Sequence, residues 1–246
     1  MFVGGLMKFA ALLALFISPV ALAAETEVKE FDAKTIRSFE IENLNGNIKI
    51  DGGHEDKIVI TAEKTDFTKS CRLEFKQKGA DLEVEVTRKG VFKKSDCTTN
   101  FTVLLPKVME LDMKLGSGNI TITGTKGGID FKIGNGQVTI DADVHELDGS
   151  AGNAEVNVKS LTGKSDLKMG SGTVKAAYSA LPATGEFEIK SGSGNVELTL
   201  PADAKIQTSF ISVGGKMTNE VGDTANAGFK VKLKSGSANL HIKKAL

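Results

Sequence analysis

The chain has no tryptophan, a single tyrosine and four prolines among 246 residues. Grooves that hold sugars favour Trp and Tyr, which join a flat apolar face to a polar tip. A carbohydrate platform of stacked aromatics has little here to be built from. Excess charge of one sign is missing too: Lys plus Arg and Asp plus Glu both number 31. A protein that grips nucleic acid by its phosphates carries a clustered basic excess, so nucleic acid is set aside. No long apolar run follows the first 23 residues, so no stable membrane insertion is expected of the remainder. Arginine stops at Arg88. Polysaccharide lyases tend to set a basic residue, often Arg, beside calcium-binding acids, and the later part of the chain has none to offer.

The first residues read as an export signal. Lys8 supplies the positive charge, Phe9 to Ile17 an unbroken apolar run, and Ala21-Leu22-Ala23 a small-x-small cleavage site. Residues 1–23 are therefore taken as a signal peptide, and Met7-Lys8 makes a more ordinary start than Met1. No Cys lies near the cut, so no lipid anchor is expected. The compartment is then periplasmic, or secreted and at the cell surface. Both cysteines, Cys71 and Cys97, survive processing, and an even count in an oxidising compartment reads as a disulfide. Its loop of about 25 residues corresponds to roughly 3 kcal/mol.

What the chain has in abundance is glycine, 27 residues, and it recurs in one phrase. Gly116-Ser117-Gly118-Asn119-Ile120-Thr121-Ile122 is the clearest copy. Others centre on Gly134 and Gly136, on Gly152 and Asn153, and on Gly170 and Gly172. The last are at Gly192, Gly194 and Asn195, and at Gly236 and Asn239. An earlier relative is Asn45-Gly46-Asn47-Ile48. The second glycine steps from 118 to 136, 152, 172 and 194, and then a double step reaches Ala238. A degenerate copy at Val213-Gly214-Gly215 is expected to fill that gap.

A period of about 20 residues signals a solenoid. A short alternating strand precedes each glycine pair, as in Leu111-Asp112-Met113-Lys114-Leu115, and another follows it. Period two puts Ile120 and Ile122 on one face and Thr121 and Thr123 on the other. Glycine suits the corner because it takes φ > 0 without a Cβ clash. Stacked coils also stack equivalent side chains, so Asn119, Asn153, Asn195 and Asn239 are candidates for a hydrogen-bonded ladder; Asn is equally an ordinary turn residue. The expected fold is all-β, a parallel β-helix or β-solenoid, right-handed by the general crossover preference.

Residues 24–106 are less regular. Strands are expected at 35–42, 47–51, 57–62, 72–76, 82–87 and 98–105. This part reads as an N-terminal β cap continuous with the solenoid of residues 107–246, because a solenoid's last coil exposes unpaired strand edges.

The recurring Gly-Ser-Gly-Asn-Ile-Thr-Ile phrase, with Leu105-Pro106, resembles the putative adhesin family of bacterial envelope proteins, over roughly Thr35 to Lys243. The resemblance implies a parallel β-helix-like fold and an envelope or surface location. It brings no ligand and no catalytic residues.

Chemistry is sparse. The repeated Gly corner is no phosphate loop, since no helix or downstream lysine motif follows it. Gly-x-Ser-x-Gly is absent. The most polar knot is residues 141–148, where Asp141, Asp143 and His145 share a face if extended and could hold a divalent cation; the alternative is a solvated corner with Val144 and Leu147 buried. No cofactor is expected. The leading reading is a non-catalytic, adhesin-like envelope protein that presents a repetitive β surface to an envelope protein or glycan. Its alternative is a polysaccharide-active lyase or hydrolase on a β-helix. A third reading is a structural factor that self-associates through an open solenoid end.

Overall fold

The computed structural model describes residues 25–90 and 96–245. The signal-peptide reading of residues 1–23 lies outside them. The regular structure of the described chain is all β apart from one turn of 3-10 helix at Ala33–Thr35, as the alternating sequence requires.

Most of it is one long ladder. Strand β8 (Glu110–Tyr178) runs for 69 residues without a break, because each coil pairs with the coil before it. Its glycines show the stacking. A Cβ on Gly134 would come within 2.4 Å of the Gly116 carbonyl oxygen, one on Gly152 within 2.5 Å of Gly134, and one on Gly170 within 2.7 Å of Gly152. Only hydrogen leaves room for carbonyls that close. The column continues to Gly192 over Gly170 in β9 (Gly185–Leu200), and to Gly236 over Gly192 in β12 (Phe229–Lys244). The second corner position is Gly118, Gly136, Gly172 and Gly194, all with φ between 133 and 139°.

Two expectations about register are corrected. Gly152 stacks with the first glycines of the pairs, and Ala154 takes the second position, under Gly172. The uneven steps read from the sequence came from matching Gly152 to the wrong member of the pair. Val213-Gly214-Gly215 does form the degenerate corner, in register with Gly236-Ser237-Ala238, but its coil lies outside β12 in space and not between Gly194 and Ala238. Ala238 pairs directly with Gly194, and Gly215 packs against Ala238 from its other side.

Inside, alternation builds the core. Leu111, Met113 and Leu115 are buried, as are Ile120 and Ile122 after the corner. Phe39, Phe101, Phe131, Phe187 and Phe229 are the largest buried side chains, each contributing roughly 2–3 kcal/mol by burial. Gly149 lies where a Cβ would meet the Phe131 ring at 2.4 Å, so its missing side chain admits that ring. Tyr178 packs edge-on against Phe187 and Phe229, and its hydroxyl donates to the Gly163 carbonyl at 2.9 Å.

The coil order in space is not the order in sequence. Strands β2 (Ser38–Asn45) and β3 (Ile48–Gly52) form a coil paired in parallel with the start of β8, Ser38 beside Glu110 and Ile48 beside Ile120. On their other side lie β6 (Asp81–Arg88) and β7 (Thr98–Leu105), also parallel. Residues 38–52 are therefore a coil of the stack rather than part of a lid upon it. The lid is antiparallel: β5 (Cys71–Lys78) on β6, β4 (Lys57–Asp66) on β7, and β1 (Glu25–Asp32) on β4. Cys71 and Cys97 are joined, as expected, and tie this lid to the chain entering β7. At the far end β12 slots between β9 and the outermost pair, β10 (Ile206–Ser212) and β11 (Met217–Asn219).

Candidate functional site

Stacking turns single outward residues into files. On the face before the glycine corner, Glu83, Glu40 and Asp112 lie side by side in paired strands. The coils of β8 carry the file through Asp130, Asp148 and Asp166, which pairs with Glu188, and Lys232 ends it. Seven carboxylates thus stand in consecutive strands, about 4.8 Å apart. Two residues nearer the corner runs a second file: Lys114, Lys132, Ser150, Lys168, Lys190 and Lys234.

The two files pair where they can. Lys114 reaches Glu40 at 2.5 Å and Asp112 at 3.7 Å. Lys190 reaches Glu188 at 3.1 Å and Asp166 at 3.9 Å, and Lys234 reaches Glu188 at 3.7 Å. The Lys190 contact, with Glu186 and Lys234 beside it, holds the Glu188 carboxyl below the usual range. The centre behaves differently. Partial desolvation pushes the Asp112 carboxyl up, against the pull of Lys114. Asp130 goes the same way, by desolvation first and then the charges of Asp112 and Asp148. A groove of about 460 Å³ lies over this stretch, opened by the small residues Ser38 and Gly128. Eight carboxylates and no basic side chain line it.

The face after the corner carries asparagine. Asn119 donates through its backbone and side chain to Asn47 Oδ1, at 3.2 and 3.1 Å, and Asn47 does the same to Asn100. Asn239 donates to Asn195 Oδ1 at 3.0 Å. The expected ladder therefore exists as two short pieces. Between them the equivalent positions are Gln137, Glu155 and Thr173. Asn153 is in neither piece: two positions out of register, it accepts from Ser171 Oγ.

The polar knot is split among lysines. Lys159 pairs with Asp141 at 3.0 Å, and Lys126 with Asp143 at 3.1 Å. The Lys126 contact holds the Asp143 carboxyl below the ordinary range. Asp141 and Asp143 do face outward with His145, while Val144 and Leu147 are buried. Among the described residues, no three His, Cys, Asp or Glu side chains converge as a metal site. His241 contacts Glu220 at 2.7 Å, and the His54 N–H donates to the Leu105 carbonyl.

These stacked coils continue to the last strands of the chain. Residues 144–245 match the model of the Toastrack DUF4097 family. The resemblance read from the sequence is borne out over these residues, which span the end of β8 and all of β9 to β12. Solved structures are similar at greater distance. A putative cell adhesion protein of Clostridium sporogenes is 13% identical, with 90% of this chain and 100% of that one covered, at a TM-score of 0.44. A putative adhesin of Bacteroides fragilis is 12% identical, covering 88% and 97%, at 0.40. A putative lipid binding protein of Parabacteroides distasonis is 13% identical, covering 90% and 97%, at 0.45. No curated protein matches. Among the described residues no helix is long and apolar enough to cross a membrane.

Sequence reading missed the acidic file, although a signal was there. Asp112, Asp130, Asp148 and Asp166 recur at a strict interval of 18 residues. The glycine step through Gly152 hid that interval within the same coils.

Proposed function

We propose that the protein is exported and acts in the bacterial envelope as a non-catalytic, adhesin-like binding or structural scaffold. The observation that carries this reading is the regular filing of outward side chains, acids beside lysines on one face and amides on the next. A surface that repeats at strand spacing suits a partner that also repeats, such as an envelope glycan or a fibrous envelope protein. The engagement of Asp141 and Asp143 by lysines supports the same reading, because a lyase-type site would need those acids free. In this reading residues 1–23 are the signal peptide, cut after Ala23. Residues 24–106 form a cap region continuous with the stack, to which residues 38–52 add a coil, and residues 107–246 the right-handed repeat region of about 20-residue coils. The exposed last coil leaves room for self-association.

The test is retention of the mature, oxidised chain on isolated envelope polymers, set beside its heat-unfolded form. Specific retention of the folded chain, without release of reducing or unsaturated sugar ends, is the expected result. Turnover of a polysaccharide that disappears in Asp141→Asn or Asp143→Asn would replace this reading with the enzymatic one.

A further inference from the structure

The acidic file is neutralised at its two ends and not at its centre. Lys78 meets Glu83 at 2.9 Å, Lys114 meets Glu40, and Lys190 and Lys234 meet Glu188. Among the described residues neither Asp130 nor Asp148 has an ion pair. The reason lies in the neighbouring file, where the position beside Asp148 is Ser150 instead of lysine. Asp130 is faced by Glu110, Asp112 and Lys114 on the coil before it, and by Glu146 and Asp148 on the coil after it. Lys132 stands on its own strand, and Lys168 lies two coils on. Glu146 is itself taken by Lys164 at 2.6 Å. Parallel pairing fixes the backbones that carry the three aspartates at strand spacing, so only side-chain rotation can relieve their repulsion.

We propose that Asp112 and Asp130, set in file with the Asp148 charge, are a proton-uptake device: as the medium acidifies they bind protons as a coupled pair, and the coils they join become more stable, not less. A protonated carboxyl beside an ionised one replaces repulsion with a hydrogen bond between coils. The sign follows from linkage. The raised carboxyls of Asp112 and Asp130 burden the folded state at neutral pH, and the burden is lifted as pH falls through their raised values. The first face then changes from anionic towards neutral while folded, which alters what it can attract.

Carboxyl-carbon NMR of the mature, disulfide-bonded chain tests this. Asp130 is expected to titrate at higher pH than Asp143, and its midpoint to move down in Asp148→Asn and in Asp112→Asn. The urea midpoint of the parent is expected to rise as pH falls from neutral towards the ordinary aspartate value of about 4, and to rise less in Asp148→Asn. Both chains carry His54, His145 and His241, so their titration cancels in the comparison. An Asp130 midpoint unmoved by either substitution would mean burial without coupling and would overturn the proposal. So would a urea midpoint with the same pH dependence in parent and variant.

Discussion

The two ends of the solenoid solve one problem differently. A last coil bares a row of unpaired backbone groups and a cross-section of core. At the amino-terminal end, strand direction reverses. Three antiparallel strands close the stack, Phe31 packs on Phe75, and Cys71–Cys97 fastens the lid. The edge strands there are charged: β1 carries Glu25, Glu27, Lys29, Glu30 and Asp32, and β5 carries Arg72, Glu74, Lys76 and Lys78. At the other end no lid is built. β10 and β11 remain parallel and short, and Ile211, Val213 and Met217 are exposed. The difference separates two jobs. One end resists unfolding through covalent and antiparallel closure; the other is merely kept short.

The severest test inserts the same methyl group near each end. Gly118→Ala and Gly194→Ala both place a Cβ within 2 Å of a carbonyl oxygen in the adjoining coil, at φ 138 and 133°. Each is expected to cost on the order of 3–5 kcal/mol. The consequences should differ. Gly118→Ala separates the lidded coil from β8 and should lower the single unfolding transition. Gly194→Ala should expose β9 to β12 to hydrogen exchange while β8 stays protected. Whole-chain exchange in both variants would show that the ends are not independent.

Next comes the fastening. Replacing Cys71 and Cys97 by serine is expected to cost roughly 3 kcal/mol for a loop of this length. Amide exchange should quicken in β1, β4 and β5 and stay constant in β9 to β12. Equal quickening at both ends would remove the distinction drawn here.

Most inner strands were legible in the sequence, the outer strands β1, β10 and β11 were not, and neither were the neighbours of any strand. Leu82-Glu83-Val84-Glu85-Val86 announces a strand by alternation alone, and it is one. Nothing within it says that Ser38–Glu42 will lie alongside, because pairing partners are set by the whole stack. The same holds for β12, which enters between β9 and β10 although 28 residues separate Leu200 from Phe229. Glycine marked the corners reliably, since a carbonyl in the next coil sits where its Cβ would be. It did not mark which corner glycine is which, and Ala154 shows why. Ala154 is not among the residues with positive φ, so that corner is made differently and tolerates a methyl. Candidate surface residues were harder still. Asp112 and Asp130 looked like ordinary outward acids until the coils were set in register.

A smaller effect separates the ends by acid. In the lid, hydrogen bonding to Lys64 holds the Glu27 carboxyl down, and Lys76 does the same for Glu74. Such groups add stability above their unfolded values, and it is lost as pH falls through the lowered folded ones. Below about pH 4 the exchange of β1 and β4 is therefore expected to rise first. The centre of the acidic file should by then have gained. Exchange starting in β8 instead would contradict both signs.

The smallest expected effect is at the open end. Residues 206–215 carry no charge, which leaves that edge open to a second strand. It is partly guarded. The Asp223 carboxylate accepts from the Thr208 backbone and hydroxyl, both at 2.9 Å, and Thr224 N–H donates to the Ile206 carbonyl at 2.8 Å. Only the later part of β10 and the corner after it stay open. Val213 is 96% exposed there, so Val213→Lys should change folding stability by less than about 0.5 kcal/mol. Its effect should appear in association. Sedimentation of the parent is expected to show a weak, concentration-dependent rise in mass that Ile211→Lys with Val213→Lys abolishes. A parent that stays monomeric throughout would mean that the Asp223 guard and the shortness of the edge protect this end without a lid.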